Sequence, residues 1–284
     1  MNQGEGFYVT LPSNASKDVF PNNTISSFTV DLAKPIELDG QWMVGLCEII
    51  YPRTWYIVPQ EDAFIQIDDQ LHTSASYTSI GSYSNNNSTL YTVPQDDPHT
   101  HMNKLKDDPY TFQVIGKGGY FYDRPRDLAD QLGPVLRKYD STASVSFNNV
   151  TKHFEFKGSG QYKIRTHAPL SYVMGMKNEE WWTLSNRMAP YPVDLNAGIY
   201  NLFVYSDLIH FQQVGDSYAP LLRVVDVKGS FGDVVNIRYH TVHYLPVSKG
   251  YIKSIQVEIK SDRNRCIDFV YGKTMLKLHF KPVL

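Results

Sequence analysis

The residues best placed to do chemistry sit in one short stretch, DDPHTHM, which carries Asp96, Asp97, His99 and His101. A His-x-His pair on an extended chain turns both rings to the same side, and two imidazoles beside a carboxylate are how a zinc site begins. No further ligand stands at a fixed spacing. The four side chains are therefore read as solvated, and no metal or other cofactor is expected. His240 and His243 lie at i and i+3 of a predicted strand, which sends their rings to opposite faces and makes them poor joint ligands.

Nucleophilic catalysis needs an activated Ser or Cys, and the sequence offers little. The segments GSGQ and GSFG lack the spacing of a nucleophile elbow. Cys47, in WMVGLCEIIYP, has no neighbouring cation or helix start to lower its pKa and reads as a packed thiol; Cys266, close to Arg263 and Arg265, has the more electropositive setting. GKGGY lacks the Lys-Ser/Thr end of a phosphate-binding loop, and no dinucleotide fingerprint occurs. Asp96, Asp97, Asp107 and Asp108 would need a fixed separation to act as a glycosidase pair, and they read as carboxylates of a solvated loop. No catalytic residue is assigned, and the chain is not expected to be an enzyme. Trp181 and Trp182 could stack on sugars, but adjacent tryptophans more often fill a core edge or a subunit contact. Together with Tyr191 and with Asp96 and Asp97 of the polar loop, they are the expected partner contacts.

The elements that must carry these residues are strands. Among 284 residues there are 20 Tyr and 14 Phe, side chains that favour a pleated, half-buried surface. ISSFTVDL places Phe28, Val30 and Leu32 on one face, and YIKSIQVEIKSD alternates Ile255, Val257 and Ile259 with Gln256, Glu258 and Lys260. In the last strand Leu276, Leu278 and Phe280 share a face. IELDGQWMVGLCEIIYP reads as a hairpin turned at Asp39-Gly40. Its second strand places Trp42, Val44 and Leu46 in the core, with Cys47 as part of the same wall. Glu48 falls on the buried side by this alternation and needs a partner, for which Arg53 is at hand.

One helix is predicted in DRPRDLADQLGPVLRKY. Asp123 caps it, Pro125 opens it, Leu128, Leu132, Val135 and Leu136 make its apolar stripe, and Gly133-Pro134 kinks it. Residues 72–109 form a long polar loop, a candidate contact region because loops of that size are uncommon in compact domains. The predicted architecture is all-β, a sandwich with a small helix-containing insertion. Residues 1–115 are its first part, 116–185 the insertion and 186–284 the remaining strands.

Composition excludes several functions. A net charge of −2 gives no field for binding phosphate backbones, so no specific nucleic acid is expected. No apolar run is long enough for a membrane span, and the start of the sequence lacks the marks of a secretory signal, so a protein made in the cytosol is expected. Two cysteines exclude a disulfide framework. The acceptor patterns at Asn14, Asn22, Asn86, Asn87 and Asn149 are read as turn asparagines.

Several stretches resemble a known family: FYVTLPSN at 7–14, PNNT at 21–24, IELDGQWMVGLCEI at 36–49, VGDSYAPLLRVVDV at 214–227 and YGKTMLKLHF at 271–280. They are similar to proteins of Polinton, or Maverick, elements and adintoviruses, and most of all to their minor capsid protein, the penton. The resemblance touches both ends of the chain and is weak over 72–109. It implies a single jelly roll that assembles as a homopentamer and closes the five-fold vertices of a shell built from a double jelly-roll major capsid protein. It places the protein in the virion capsid, after synthesis in the host cytoplasm and assembly there or in the nucleus. A major-capsid-like role and a carbohydrate-binding β-sandwich are the alternatives, with a metal-dependent enzyme of the cupin type behind them.

Overall fold

The computed structural model describes residues 6–59, 62–69, 111–113, 124–262 and 264–283. The chain divides into two compact units, one made of Met1–Tyr56 with Ile199–Leu284 and the other of Ile57–Gly198. The first arm of the former holds β1 (Phe7–Pro12), β2 (Ser27–Glu37) and β3 (Trp42–Pro52). The inserted unit holds β4 (Phe64–Asp69), β5 (Thr111–Gln113), α1 (Pro125–Arg137), β6 (Ser144–Asn148), β7 (His153–Lys157), β8 (Tyr162–Thr166), α2 (Leu170–Val173), β9 (Trp182–Thr183) and β10 (Arg187–Met188). The second arm supplies β11 (Asn201–Ser206), β12 (Gln212–Val214), β13 (Ser217–Ala219), β14 (Leu221–Asp226), β15 (Val234–Arg238), β16 (Leu245–Pro246), β17 (Tyr251–Ser261) and β18 (Met275–Pro282).

Two sheets form the sandwich. One runs β1-β18-β3-β15, with β16 also pairing with β3, and the other runs β14-β11-β17-β2. The first strand pairs with the last and the second with β17, all antiparallel, so the chain wraps back on itself as an eight-strand jelly roll does. The core between the sheets is the set the alternation predicted: Phe28, Ile255, Val257, Ile259, Leu276, Leu278 and Phe280 are buried, and Leu32 packs partly against them. Phe280 stacks on Phe7 with ring centroids 4.9 Å apart.

Two expectations about the first arm are corrected. Asp39-Gly40 does not close a hairpin, because β2 pairs with β17 in one sheet while β3 pairs with β18 and β15 in the other. The bend carries the chain across the sandwich, and Trp42 Nε1 donates to the Asp39 carbonyl at 2.9 Å. Within β3, Leu46 lies opposite Leu278 while Glu48 lies opposite Lys277, which leaves Cys47 as the extra residue of a β-bulge. The side-chain alternation resets there. Leu46 and Ile49 are both fully buried although an odd number of positions apart, and Cys47 and Glu48 are only half-buried. Val44 and Leu46 are core as expected, Trp42 packs at its margin, and Cys47 is not core.

The inserted unit is built by itself around Phe154, Phe156, Leu128, Leu132 and Ile164. One sheet runs β5-β4-β8-β9 and another β10-β7-β6. Pro125 opens α1 as predicted. The N-cap is Arg124 without a side-chain cap bond, the helix continues through Pro134, and Asp123 lies outside the described residues. Leu128, Leu132 and Leu136 are buried, and Val135 packs against the same core. Asn148 Oδ1 accepts the Val150 and Thr151 amides at 2.9 and 3.2 Å, closing the turn from β6 to β7. The expected boundaries at 116 and 185 fall inside this unit, because β4 and β5 before them and β10 after them hydrogen-bond into its sheets.

Candidate functional site

Period-two alternation exposes one face of each sheet, and the chemistry of the sandwich lies on those faces. On the four-stranded sheet, β11 turns Phe203 and Tyr205 outward while β17 turns Gln256, Glu258 and Lys260 outward. These residues floor a cleft of about 880 Å³. One wall is the β12–β13 hairpin, whose Gly215-Asp216 turn is a two-residue hairpin signal absent from the sequence reading. Phe211 and Tyr218 stand in this wall, 56% and 67% exposed, with ring centroids 5.9 Å apart and 31° between their planes. The Gln212 side-chain amide donates to the Leu221 carbonyl and fixes the base of the hairpin.

Ion pairs set the polar groups of the cleft. Asp207 accepts Lys249 Nζ at 2.6 Å through one oxygen and the Gln256 amide at 2.8 Å through the other. Glu258 holds Lys260 Nζ at 2.9 Å, and that ammonium also lies 5.5 Å from the centre of the Tyr205 ring. Burial pushes the Tyr205 phenol pKa up, with the Lys260 charge opposing. None of these side chains was singled out as a site from the sequence.

The outer face of the other sheet carries a ladder of rings and cations. His279 on β18 lies 4.6 Å from the Tyr8 ring, and its Nδ1 shares a 2.7 Å hydrogen bond with Tyr244 Oη. Lys277 stands over Tyr8 and Lys281 over Tyr244. Burial and then the Lys281 charge push the His279 pKa down. Glu48 points to this same outer surface and pairs with Arg238 at 2.9 Å, not with Arg53. The Arg238 hydrogen bond is the main reason its pKa is lowered. Arg53 instead is buried, with its guanidinium 4.1 Å from the centre of the Trp55 ring.

Gly45 admits the segment that carries Tyr244. A Cβ there would lie 2.5 Å from the His243 carbonyl and 2.5 Å from Val242. This close crossing interrupts the strand expected through His240 and His243, so both histidines lie between β15 and β16. Cys47 Sγ donates to the Lys277 carbonyl at 3.0 Å, and burial pushes its thiol pKa up against the Lys277 charge. It is not an activated nucleophile. Cys266 is exposed.

In the inserted unit the two adjacent tryptophans divide the expected roles. Trp182 is half-buried, meeting Phe156 edge-on at 4.9 Å, with Arg187 4.0 Å from its ring centre. Trp181 is 38% exposed, with Arg165 4.7 Å from its ring centre. Tyr191 is also exposed, and its carbonyl crowds Gly175, whose φ of +65° has no room for a Cβ. Asp96, Asp97, His99, His101, Asp107 and Asp108, with the rest of the 72–109 loop, lie outside the described residues. Among the described residues, no group of three or more His, Cys, Asp or Glu side chains could hold a metal ion, and no helix is long and apolar enough to cross a membrane.

A known structure shares this fold. The crystal structure of the mavirus penton protein is similar over 98% of this chain and 100% of its own, at 11% identity and a TM-score of 0.52. The Sputnik virophage structure determined by cryo-electron microscopy matches over 98% of both chains, at 11% identity and a TM-score of 0.47. No family model and no curated protein matches the sequence.

Proposed function

We propose that this chain is a viral capsid protein of the penton class, a minor capsid subunit that assembles as a homopentamer at the five-fold vertices of an icosahedral shell. The observation that carries this reading is that the jelly roll and its insert together match the mavirus penton protein over its full length. The sequence resemblance to Polinton and adintovirus pentons supports the same role. A major-capsid-like role would call for two jelly rolls. Among the described residues, the inserted unit has only a four-stranded and a three-stranded sheet beside its helices.

The function is then assembly, without turnover. Its partners are further copies of itself and a double jelly-roll major capsid protein, its place is the virion capsid, and it uses no specific nucleic acid and no membrane span. The host cell makes the chain in its cytoplasm and assembles it there or in the nucleus. A ring arises when two different patches on one chain meet head to tail and the rotation closes. Trp181 and Tyr191, together with the 72–109 loop, are the contact residues we assign outside the sandwich, whereas Trp182 serves the insert's own core edge.

The test is the mass of the purified protein by light scattering, followed by imaging of any oligomer. A five-fold ring is expected. A trimer would replace this reading with a major-capsid-like one. A monomer that also fails to add to shells assembled from the major capsid protein would overturn the vertex role.

A further inference from the structure

We propose that the cleft on the four-stranded sheet binds a neutral oligosaccharide. Its volume, about 880 Å³, is that of a ligand site rather than of a packing defect. The chemistry of the lining then selects among ligand classes.

An anionic ligand is disfavoured. Among the described lining residues four carboxylates, Asp207, Asp216, Glu258 and Asp262, stand against two ammonium groups, and both Lys249 and Lys260 are already engaged by carboxylates. A wholly apolar ligand would cover those ion pairs and the Gln256 side-chain amide while returning no hydrogen bonds, which is costly. A sugar chain meets both demands. Its hydroxyls donate to carboxylate oxygens and accept from ammonium and amide groups, while its C–H faces lie against aromatic rings.

The rings are present in the required form. Phe203 and Tyr205 lie in the floor, and Phe211 and Tyr218 make an open V in the wall with most of their surface uncovered. The two ion pairs hold the polar groups in place before any ligand arrives, which lowers the ordering cost of binding. Sugar recognition is thereby placed on the sandwich rather than at Trp181 and Trp182. Binding itself does not depend on the vertex role; its use, attachment to a glycan-coated surface, rests on that reading.

The experiment is saturation-transfer NMR and calorimetry on the full chain with maltotriose, chitotriose, mannotriose and lactose, with a sulfated heparin fragment as the anionic comparison. Saturable binding of at least one neutral probe is expected, and Phe211→Ala and Tyr218→Ala should each weaken it about tenfold, the loss of one stacked ring. Tyr218→Phe should retain most of the affinity, and the solution mass should stay that of the unmutated protein. No saturable binding up to about 10 mM, a weakness equivalent to less than about 3 kcal/mol, would overturn the inference. So would binding that survives both alanine variants, or heparin binding tighter than any neutral probe. If the alanine variants instead lower the solution mass, the surface is a contact between copies, which removes the sugar site and leaves the ring in place. A monomeric protein that fails to add to shells of the major capsid protein yet still binds the neutral probe would remove the vertex reading and leave the sugar site.

Discussion

The sandwich and the insert solve the same problem by opposite means. In the sandwich, residues 7–12 find their partners at 275–280, and 27–37 find theirs at 251–258, so its core forms only when distant segments meet. In the insert, β6 pairs with β7 across a short turn and α1 directly precedes β6, all within one stretch of chain. Long-range pairing pays its loop-closure entropy before any contact repays it, whereas local pairing does not. The sandwich therefore depends on a few large buried side chains at its closing strand, whereas the insert joins the distant β4–β8 pairing to local ties around α1, β6 and β7.

That contrast can be broken at its strongest point first. Phe280→Ala removes a fully buried ring stacked on Phe7, and we expect a loss of about 3–5 kcal/mol in urea unfolding. A loss below about 1 kcal/mol would mean that β18 does not close the core. On the insert's side, buried Asp140 accepts the Thr142 hydroxyl at 2.6 Å, the Ser159 amide at 2.7 Å and the Thr142 amide at 3.0 Å. Burial by itself would raise its pKa, but these donors outweigh it and the net shift is downward.

A carboxylate with a depressed folded-state pKa adds stability above its unfolded value, about 3.9, and that stability is lost as pH falls through the folded value. Asp140→Asn should cost about 1–3 kcal/mol at neutral pH and flatten the acid limb of the stability profile. An unchanged acid limb would show that the local tie is not electrostatic. The smallest effect separates neighbours: Trp182→Ala should destabilise by about 2 kcal/mol and Trp181→Ala by less than about 0.5. Equal losses, read by thermal unfolding, would return both rings to the core.

Legibility in the sequence followed the same division. Where a stretch keeps strict alternation, as in residues 27–31 of β2, 255–261 of β17 and 275–280 of β18, the buried face was plain from Phe28, Val257 or Leu278. The β3 strand defeated that reasoning at one residue. A bulge at Cys47 depends on which residues β18 presents opposite it, and the local sequence carries no mark of that. Asp39-Gly40 marked a bend correctly but not its partners, because turn chemistry does not reveal which sheet the next strand joins.

The insert's edges were misplaced for a similar reason. β4 looks like any sandwich strand until its pairing with β8 is known. The cleft was missed although its Gly215-Asp216 turn was readable, since the aromatic pair it presents gains meaning only beside the floor made by β11 and β17. Trp181 and Trp182 drew attention by rarity, yet Trp181 precedes β9 while Trp182 opens it, and the two rings serve different roles.

The position of β18 between β1 and β3 has a consequence for synthesis. A ribosome releases β1 and β3 long before β18, and until then the sheet lacks its middle strand and shows two open edges. The nascent sandwich cannot finish, while the insert, all of whose described strands precede β11, can. The emergence of β18 thus acts as a timer, and a product that ended before Met275 would expose strand edges fit for capture by chaperones rather than a surface fit for a shell.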